Sequence, residues 1–313
     1  LKRAIVIGAN GQDGHFLVKH LLRRGYKVVG LGRQAESRWD HGTEVYEYRH
    51  VDLRVDGALM FALEQVQPEI IFHVAAVHTS AGGKYEEIFS EVLKVNTGSV
   101  HSVLEYLRKK GNGQLLYASS GKVFGKEPPE RIDEDTQTKN DCLYSLSKNT
   151  SSNIVNYYRK HHEVTASIVY PFNHESEFRP RDFFIPIVID SLATALREPG
   201  FTREVKTLDF YCDWGSAEEF MAIMIDIGEK APGQDFVLGT GSCTYGRNLV
   251  ESLFHEHGLD YRDVLITTGR DPSIAPRPYH VDTMRLNNHV HRVPERNILF
   301  LCREILMTKY QIG

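Results

Sequence analysis

Four cysteines in 313 residues, Cys142, Cys212, Cys243 and Cys302, are too few and too scattered for a disulfide framework or a thiolate metal cage. They read as packing residues of a protein kept in a reducing compartment. Basic charge is not in excess either. The 37 Lys and Arg against 41 Asp and Glu leave a formal net charge of -4, which excludes the positive field with which proteins hold nucleic acid. No apolar run reaches the roughly 20 residues that cross a bilayer, and the first residues have neither the apolar h-region nor the cleavage site of a secretory leader. A soluble, cytoplasmic protein without nucleic-acid or membrane partners is expected. Repeats and low-complexity stretches are missing. Histidine is plentiful, yet His255-x-His257 and His289-x-His291 have no Cys or carboxylate at ligand spacing, so no metal is expected.

What the chain does have stands at its start: Ala4-Ile5-Val6-Ile7-Gly8-Ala9-Asn10-Gly11-Gln12-Asp13-Gly14. An unbroken aliphatic run reads as a strand buried on both faces, the usual centre of a parallel sheet. Gly8 permits the tight turn off that strand, Gly11 lets main chain approach a pyrophosphate, and Gly14 lets the next helix pack on the sheet. The phosphates would sit on the free amides of the helix that begins near Gln12. Gly8, Asn10, Gly11, Gln12, Asp13 and Gly14 are therefore candidate cofactor-binding residues.

Further along, apolar spacing predicts a helix over 12–24 stopped by Gly25, a strand over Lys27–Leu31, a strand over Tyr46–His50, and a helix from Asp56 to Gln65. Arg33, just past the second strand, tilts the cofactor towards NADP, because a basic residue there accommodates a 2'-phosphate; NAD stays open. A solvated surface arginine is the alternative. Asp52, followed by Leu53, either reaches an adenine amine or caps the next helix. Ile70 to Ala76 reads as a fourth buried strand ending in the small residues Ala75 and Ala76, which with Val77 allow a flat cofactor to approach. A long helix from Tyr85 to Lys110 holds Asn96, and Gln114 to Ser119 is the next strand. Alternating strands and helices argue for an α/β protein with a Rossmann-type doubly wound parallel sheet, binding ligands at the carboxyl ends of its strands. That domain is expected over 1–170, with segments returning to it from the C-terminal half. A smaller substrate lobe is expected over 171–313, with helices at Ile185–Leu196, Ser216–Glu229, Arg247–His257 and Leu299–Lys309.

Tyr144 and Lys148 are four apart on the predicted helix from Tyr144 to about His161, so they share one face. Ser120 ends a strand at the ligand edge of the sheet. A tyrosine phenol has a pKa near 10, and using it as a base at neutral pH means lowering that by about three units. A neighbouring ammonium, together with an oxidised nicotinamide, favours the phenolate. Ser120, Tyr144 and Lys148 would then take the proton of a secondary alcohol while hydride leaves for the nicotinamide.

With these residues in hand, the chain resembles the extended short-chain dehydrogenases/reductases, and among them the GDP-mannose 4,6-dehydratases. The resemblance rests on Gly-x-x-Gly-Gln-Asp-Gly at Gly8 to Gly14, the Ser-containing strand end, Tyr144-x-x-x-Lys148, Phe172-Asn173-His174-Glu175-Ser176, Asp213-Trp214-Gly215 and Arg277-Pro278. It implies a nucleotide-sugar substrate, a GDP-sugar first, oxidised at C4 by bound NADP or NAD. Ser120, Tyr144 and Lys148 would be catalytic, Asn173 and Arg277 would touch substrate, and His174 and Glu175 would support the site. Relatives of this kind pair through helices like 85–110 and 144–161, so a homodimer or homotetramer is implied.

Two positions depart from the pattern. The dehydratases carry a glutamate two residues after the hydroxyl residue, where it removes the C5 proton; here Lys122 stands there, and Gly121 supplies no acid for a departing C6 hydroxyl. Certain inverting dehydratases of UDP-sugars resemble this chain in placing a lysine at the base position, and burial lowers a lysine pKa. Lys122 is thus a candidate catalytic residue with dehydration open, and a 4-keto-sugar reductase or an epimerase as alternatives. Cys212 stands where the family has an arginine on the sugar-nucleotide phosphates. A non-catalytic NAD(P)-binding redox sensor is the rival reading.

Overall fold

The computed structural model describes residues 1–79, 84–269 and 276–313. Seven strands, β1 (Arg3–Ile7), β2 (Lys27–Gly32), β3 (Tyr46–His50), β4 (Ile70–His73), β5 (Gln114–Ala118), β6 (Thr165–Pro171) and β7 (Phe236–Leu238), form one sheet in the order β7-β6-β5-β4-β1-β2-β3. Every pairing in it is parallel. The expected doubly wound sheet is present, with β1 inside it between β4 and β2 and Ala4 to Ile7 at most 1% exposed. Strand order reverses between β1 and β4, the switch point at which such sheets open a crevice for ligands.

Helices cover both faces. On one side Ala58–Val66, Ser99–Lys110 and Leu143–His162 pack into one apolar cluster. On the other, α1 (Gln12–Arg23) packs with Ala217–Lys230 and Met284–Val290. The last strand of the large sheet and two of its covering helices thus come from beyond residue 171. The run Phe220 to Ile227 is buried all round, so that helix lies inside the fold. A third cluster, from Phe184–Ala195, Tyr211–Ser216, Gly246–Glu256 and Ile298–Tyr310, packs apart from the large sheet. Its floor is a three-stranded sheet of Cys243–Tyr245, Tyr211–Ser216 and Asn173–Glu175. Among the described residues no helix is long and apolar enough to cross a membrane.

Three local expectations change. The strand expected over 70–76 stops at His73, because the N–H groups of Val74 and Ala75 both turn to the Ile7 carbonyl instead of continuing a ladder. The single helix expected over 85–110 is broken into a 3₁₀ turn, one α turn, a π segment at Leu93–Gly98 and the helix Ser99–Lys110. The wider π turn frees main-chain carbonyls, and Ser151 donates to that of Asn96 at 2.9 Å. Finally, Asp52 does not cap the following helix, whose N-cap is Gly57. Its carboxylate is held instead by Arg54, at 3.0 Å from Nε and 2.7 Å from Nη2.

Candidate active site

A cleft of about 390 Å³ opens at the carboxyl ends of β1, β2 and β4. Gly8, Asn10, Gly11, Arg33, Asp52, Leu53, Ala75, Ala76 and Val77 all line it, so nine of the sequence candidates meet in one place. The approach is tight. Gly8 has φ +100°, and a Cβ there would lie 2.8 Å from the Ala75 nitrogen; one at Gly14 would lie 2.2 Å from the Gly8 carbonyl oxygen. Such a cradle, ending on the first turn of α1 with its unsatisfied amides, fits a dinucleotide pyrophosphate.

Several candidate side chains brace this cradle. Gln12 donates to the His174 carbonyl at 3.3 Å and accepts from Ser176 at 2.7 Å, while Asp13 meets His174 Nε2 at 3.0 Å. Burial works to raise the Asp13 pKa, but His174 outweighs it and leaves it at about 2. The same bond raises the His174 pKa against its own burial. His174 is the support that the sequence suggests. Asn10 holds the loop after β2 through Gln34, Glu36, Arg38 and Tyr48. Asn96 clamps both main-chain groups of Val77, at 2.7 and 3.2 Å, and donates to Ser147 on the helix Leu143–His162 at 3.1 Å. For these residues the groups left for a ligand are largely main-chain ones.

Beside His78, which lines the inner end of the cleft, that helix brings Tyr144 and Lys148 to the end of β5. Cys142 caps it, accepting from the Ser145 N–H at 3.4 Å while the Ser145 hydroxyl accepts from the Cys142 N–H at 3.1 Å. Lys148 is 2% exposed, donates to the Ala118 carbonyl at 2.8 Å, and sits 5.8 Å from the Tyr144 ring centroid. Burial lowers its pKa to about 7, with Asp13 pulling the other way. Burial likewise pushes the Tyr144 phenol up, while the Ser120 hydroxyl, hydrogen-bonded to it, works in the opposite direction. The protein alone therefore favours the protonated phenol: burial dominates, and it pushes Lys148 towards its neutral form as well, so the expected depression by an ammonium does not prevail.

The far side of the cluster carries the departures. Lys122 keeps contact with solvent, its Nζ stands 6.0 Å from the Tyr144 ring centroid and 3.4 Å from His78 Nε2, and the protein atoms packed around it lower its pKa from the ordinary value. A Cβ at Gly121 would lie 3.0 Å from the Phe172 ring, which leaves little room for an acid there. Asn173 donates its amide to Cys212 Sγ at 3.0 Å, so the thiol stands as its acceptor where an arginine was missed. Arg277 lies on an exposed segment.

Sequence reasoning missed three side chains here. His78 stacks face to face on Tyr144 with centroids 4.3 Å apart; Tyr85 bonds His78 Nδ1 at 2.7 Å. Arg179 lies 3.9 Å over the Phe183 ring, and its charge bears on Asp13, Tyr144, Lys122 and His78. Its one sequence signal was its place three residues after the Asn-His-Glu-Ser segment.

Comparison with known proteins adds the family and the shared fold. The family model for GDP-mannose 4,6 dehydratase matches residues 5–290, and the chain belongs to that family. It is 27% identical over 258 residues to a GDP-mannose 4,6-dehydratase of Sordaria araneosa, covering 81% of this chain and 47% of that protein, so the chain spans about half the length of that relative. It is 24% identical to a GDP-mannose 4,6-dehydratase of Vibrio cholerae, over 100% of this chain and 95% of that one. Among solved structures the fold is shared with dTDP-glucose 4,6-dehydratase from Bacillus anthracis in complex with NAD: TM-score 0.82, 18% identity, 98% of this chain and 96% of that one. It is shared equally with RMD from Pseudomonas aeruginosa complexed with NADPH: TM-score 0.80, 19% identity, 98% of each chain.

Proposed function

We propose that this chain binds NADP, or NAD, in the cleft and moves hydride at C4 of a nucleotide-linked hexose, a GDP-sugar first among candidates. The observation that carries the proposal is the convergence of Ser120, Tyr144 and buried Lys148 beside His78, which lines the inner end of a glycine-walled cleft. The nicotinamide supplies the hydride acceptor. Tyr144 takes the alcohol proton, Ser120 hydrogen-bonds the same oxygen, and Lys148, with a pKa of about 7, is poised to pass a proton to or from the phenol. The main chain of Gly8, Gly11, Gln12, Asp13 and Gly14 holds the pyrophosphate, Arg33 selects the 2'-phosphate beside Asp52 and Leu53, and Ala75, Ala76, Val77 and Asn96 shape the floor. Asn10 orders the loop that carries Arg33. Asn173 and Arg277 face the nucleotide-sugar, with Arg277 on the diphosphate.

Ordinary dehydration lacks its acid, given the Phe172 ring against Gly121, so the reading favours redox or exchange chemistry at C4 and C5, with Lys122 in place of a carboxylate base. The same reading makes the protein a cytoplasmic homodimer or homotetramer, paired through the broken helical segment 85–110 and the helix Leu143–His162, a state that light scattering measures.

The test is direct. Purified protein is titrated with NADPH and NADH, then incubated with GDP-mannose, GDP-4-keto-6-deoxymannose and a panel of UDP- and CDP-sugars. Cofactor reduction or oxidation with one of them is expected. Tight cofactor binding with no turnover on any of them, and biological activity kept in Tyr144→Phe, would make the protein a sensor instead.

A further inference from the structure

Lys122 and His78 form a pair with a defined hydrogen-bond sense. While Lys122 is protonated its ammonium has hydrogens and no lone pair, so the 3.4 Å contact between Lys122 Nζ and His78 Nε2 makes Nε2 the acceptor. The neutral ring then carries its proton on Nδ1 and donates it to the Tyr85 hydroxyl at 2.7 Å. That hydroxyl accepts in addition from the Thr79 N–H at 3.0 Å and faces the Thr79 carbonyl at 3.5 Å, so main chain anchors the tautomer. The imidazole is clamped between the Tyr144 ring and Phe183, at 4.3 and 5.7 Å. Burial, then Lys122, Arg179 and Lys148, hold it neutral with a pKa of about 3. Lys122 itself faces Arg179, Cys142 and Cys212 besides His78.

We infer that His78 is the positioning residue for Lys122: Nε2 takes one N–H of the ε-amino group and so aims the rest of that nitrogen into the cleft beside the Tyr144 phenol. The inference rests on the alcohol oxidation proposed for this site and adds a step to it. The 6.0 Å between Nζ and the Tyr144 ring centroid leaves room for one carbon next to the oxidised centre. Once that centre is a ketone, neutral Lys122 takes the proton from the neighbouring carbon. The C–H electron pair moves into an enolate whose oxygen accepts hydrogen bonds from the protonated Tyr144 phenol and from Ser120. The ammonium keeps its bond to His78 and either returns the proton or exchanges it with water, so the ketone is restored and the bound nicotinamide is the only redox partner required.

The test reads the lysine itself. NADP⁺-loaded protein is acetylated competitively with acetic anhydride across pH, and mass spectrometry compares Lys122 with exposed lysines of the same chain. In the unaltered protein Lys122 titrates below the exposed lysines. His78→Phe keeps the stacking and removes the acceptor. Tyr85→Phe leaves His78 in place and removes the partner that fixes its tautomer. Each lowers the Lys122 midpoint by about half a unit or more, since an acceptor bonded to a charged donor stabilises the ammonium. His78→Gln, with a carbonyl acceptor, restores it. An unmoved midpoint in either folded Phe variant overturns the inference. Absence of hydride transfer with every nucleotide-sugar sinks the alcohol oxidation instead, and leaves this titration unchanged.

Discussion

The two ends of the cleft are built by different means. At the outer end the cleft is lined by short contiguous segments after β1, β2, β3 and β4, and the polar side chains of Asn10, Gln12 and Asp13 are taken up in bracing them. At the inner end the groups that meet are side chains, and they come from at least four separate stretches of chain: His78, Ser120 with Lys122, Tyr144 with Lys148, and Arg179. A pyrophosphate asks for amides and close approach, which a strand, a turn and a helix supply locally. Proton transfer asks for titratable groups in contact, and burial sets their pKa values.

Tyr144→Phe gives the largest effect, and acts at the inner end alone. Hydride transfer to or from the active nucleotide-sugar falls by about 10²–10⁴-fold, while NADPH fluorescence titration shows cofactor binding unchanged. A parallel loss of binding would mean that the two ends are not separable.

Lys148→Met sharpens the electrostatic half of the comparison. The folded protein holds this lysine at about 7 against an ordinary 10.5. Between those values the unfolded chain keeps a proton that the folded chain has shed, so stability rises with pH across that window, by up to about 1.4 kcal/mol per unit. Urea unfolding of cofactor-free protein at pH 7, 8 and 9 should show the rise, and Lys148→Met should flatten it.

Asp13→Asn tests the tie between α1 and the segment 173–176. Loss of a charge-assisted bond to His174 costs about 2 kcal/mol of stability, and removing the carboxylate shifts the Lys148 titration to lower pH, because Asp13 favours its charged form. A stability unchanged by the substitution would make that tie incidental.

The smallest contrast compares two glycines. Gly14→Ala drives a Cβ to 2.2 Å from the Gly8 oxygen and 2.5 Å from the Ala9 Cα, and should cost about 1–3 kcal/mol together with cofactor affinity. Gly57→Ala, with φ +79° and open space, should cost about 1 kcal/mol through its left-handed backbone and leave affinity alone. Equal losses of affinity would contradict the close-packed cradle.

Much of the outer end was legible beforehand. β1, its turn and α1 follow from an aliphatic run ending in spaced glycines, and each relation spans fewer than a dozen residues. The helix Leu143–His162 and the pairing of Tyr144 with Lys148 are likewise a matter of helical spacing. Less was legible where one atom decides. Nothing near Asn96 announces a π segment, and nothing near Asp52 shows that Arg54, two residues on, takes its carboxylate rather than the next helix.

Sequence by itself determined the parallel sheet, the glycine cradle and the candidate trio Ser120, Tyr144 and Lys148, because periodicity and turn chemistry act between near neighbours. Tertiary structure alone decided which C-terminal segments return to the large sheet, Ala217–Lys230 and β7 among them, that Arg179 enters the cluster, and that His78 lies on Tyr144 and against Lys122. It decided the protonation balance as well: burial raises the Tyr144 phenol and lowers Lys148, and how much water a side chain keeps depends on segments far away along the chain.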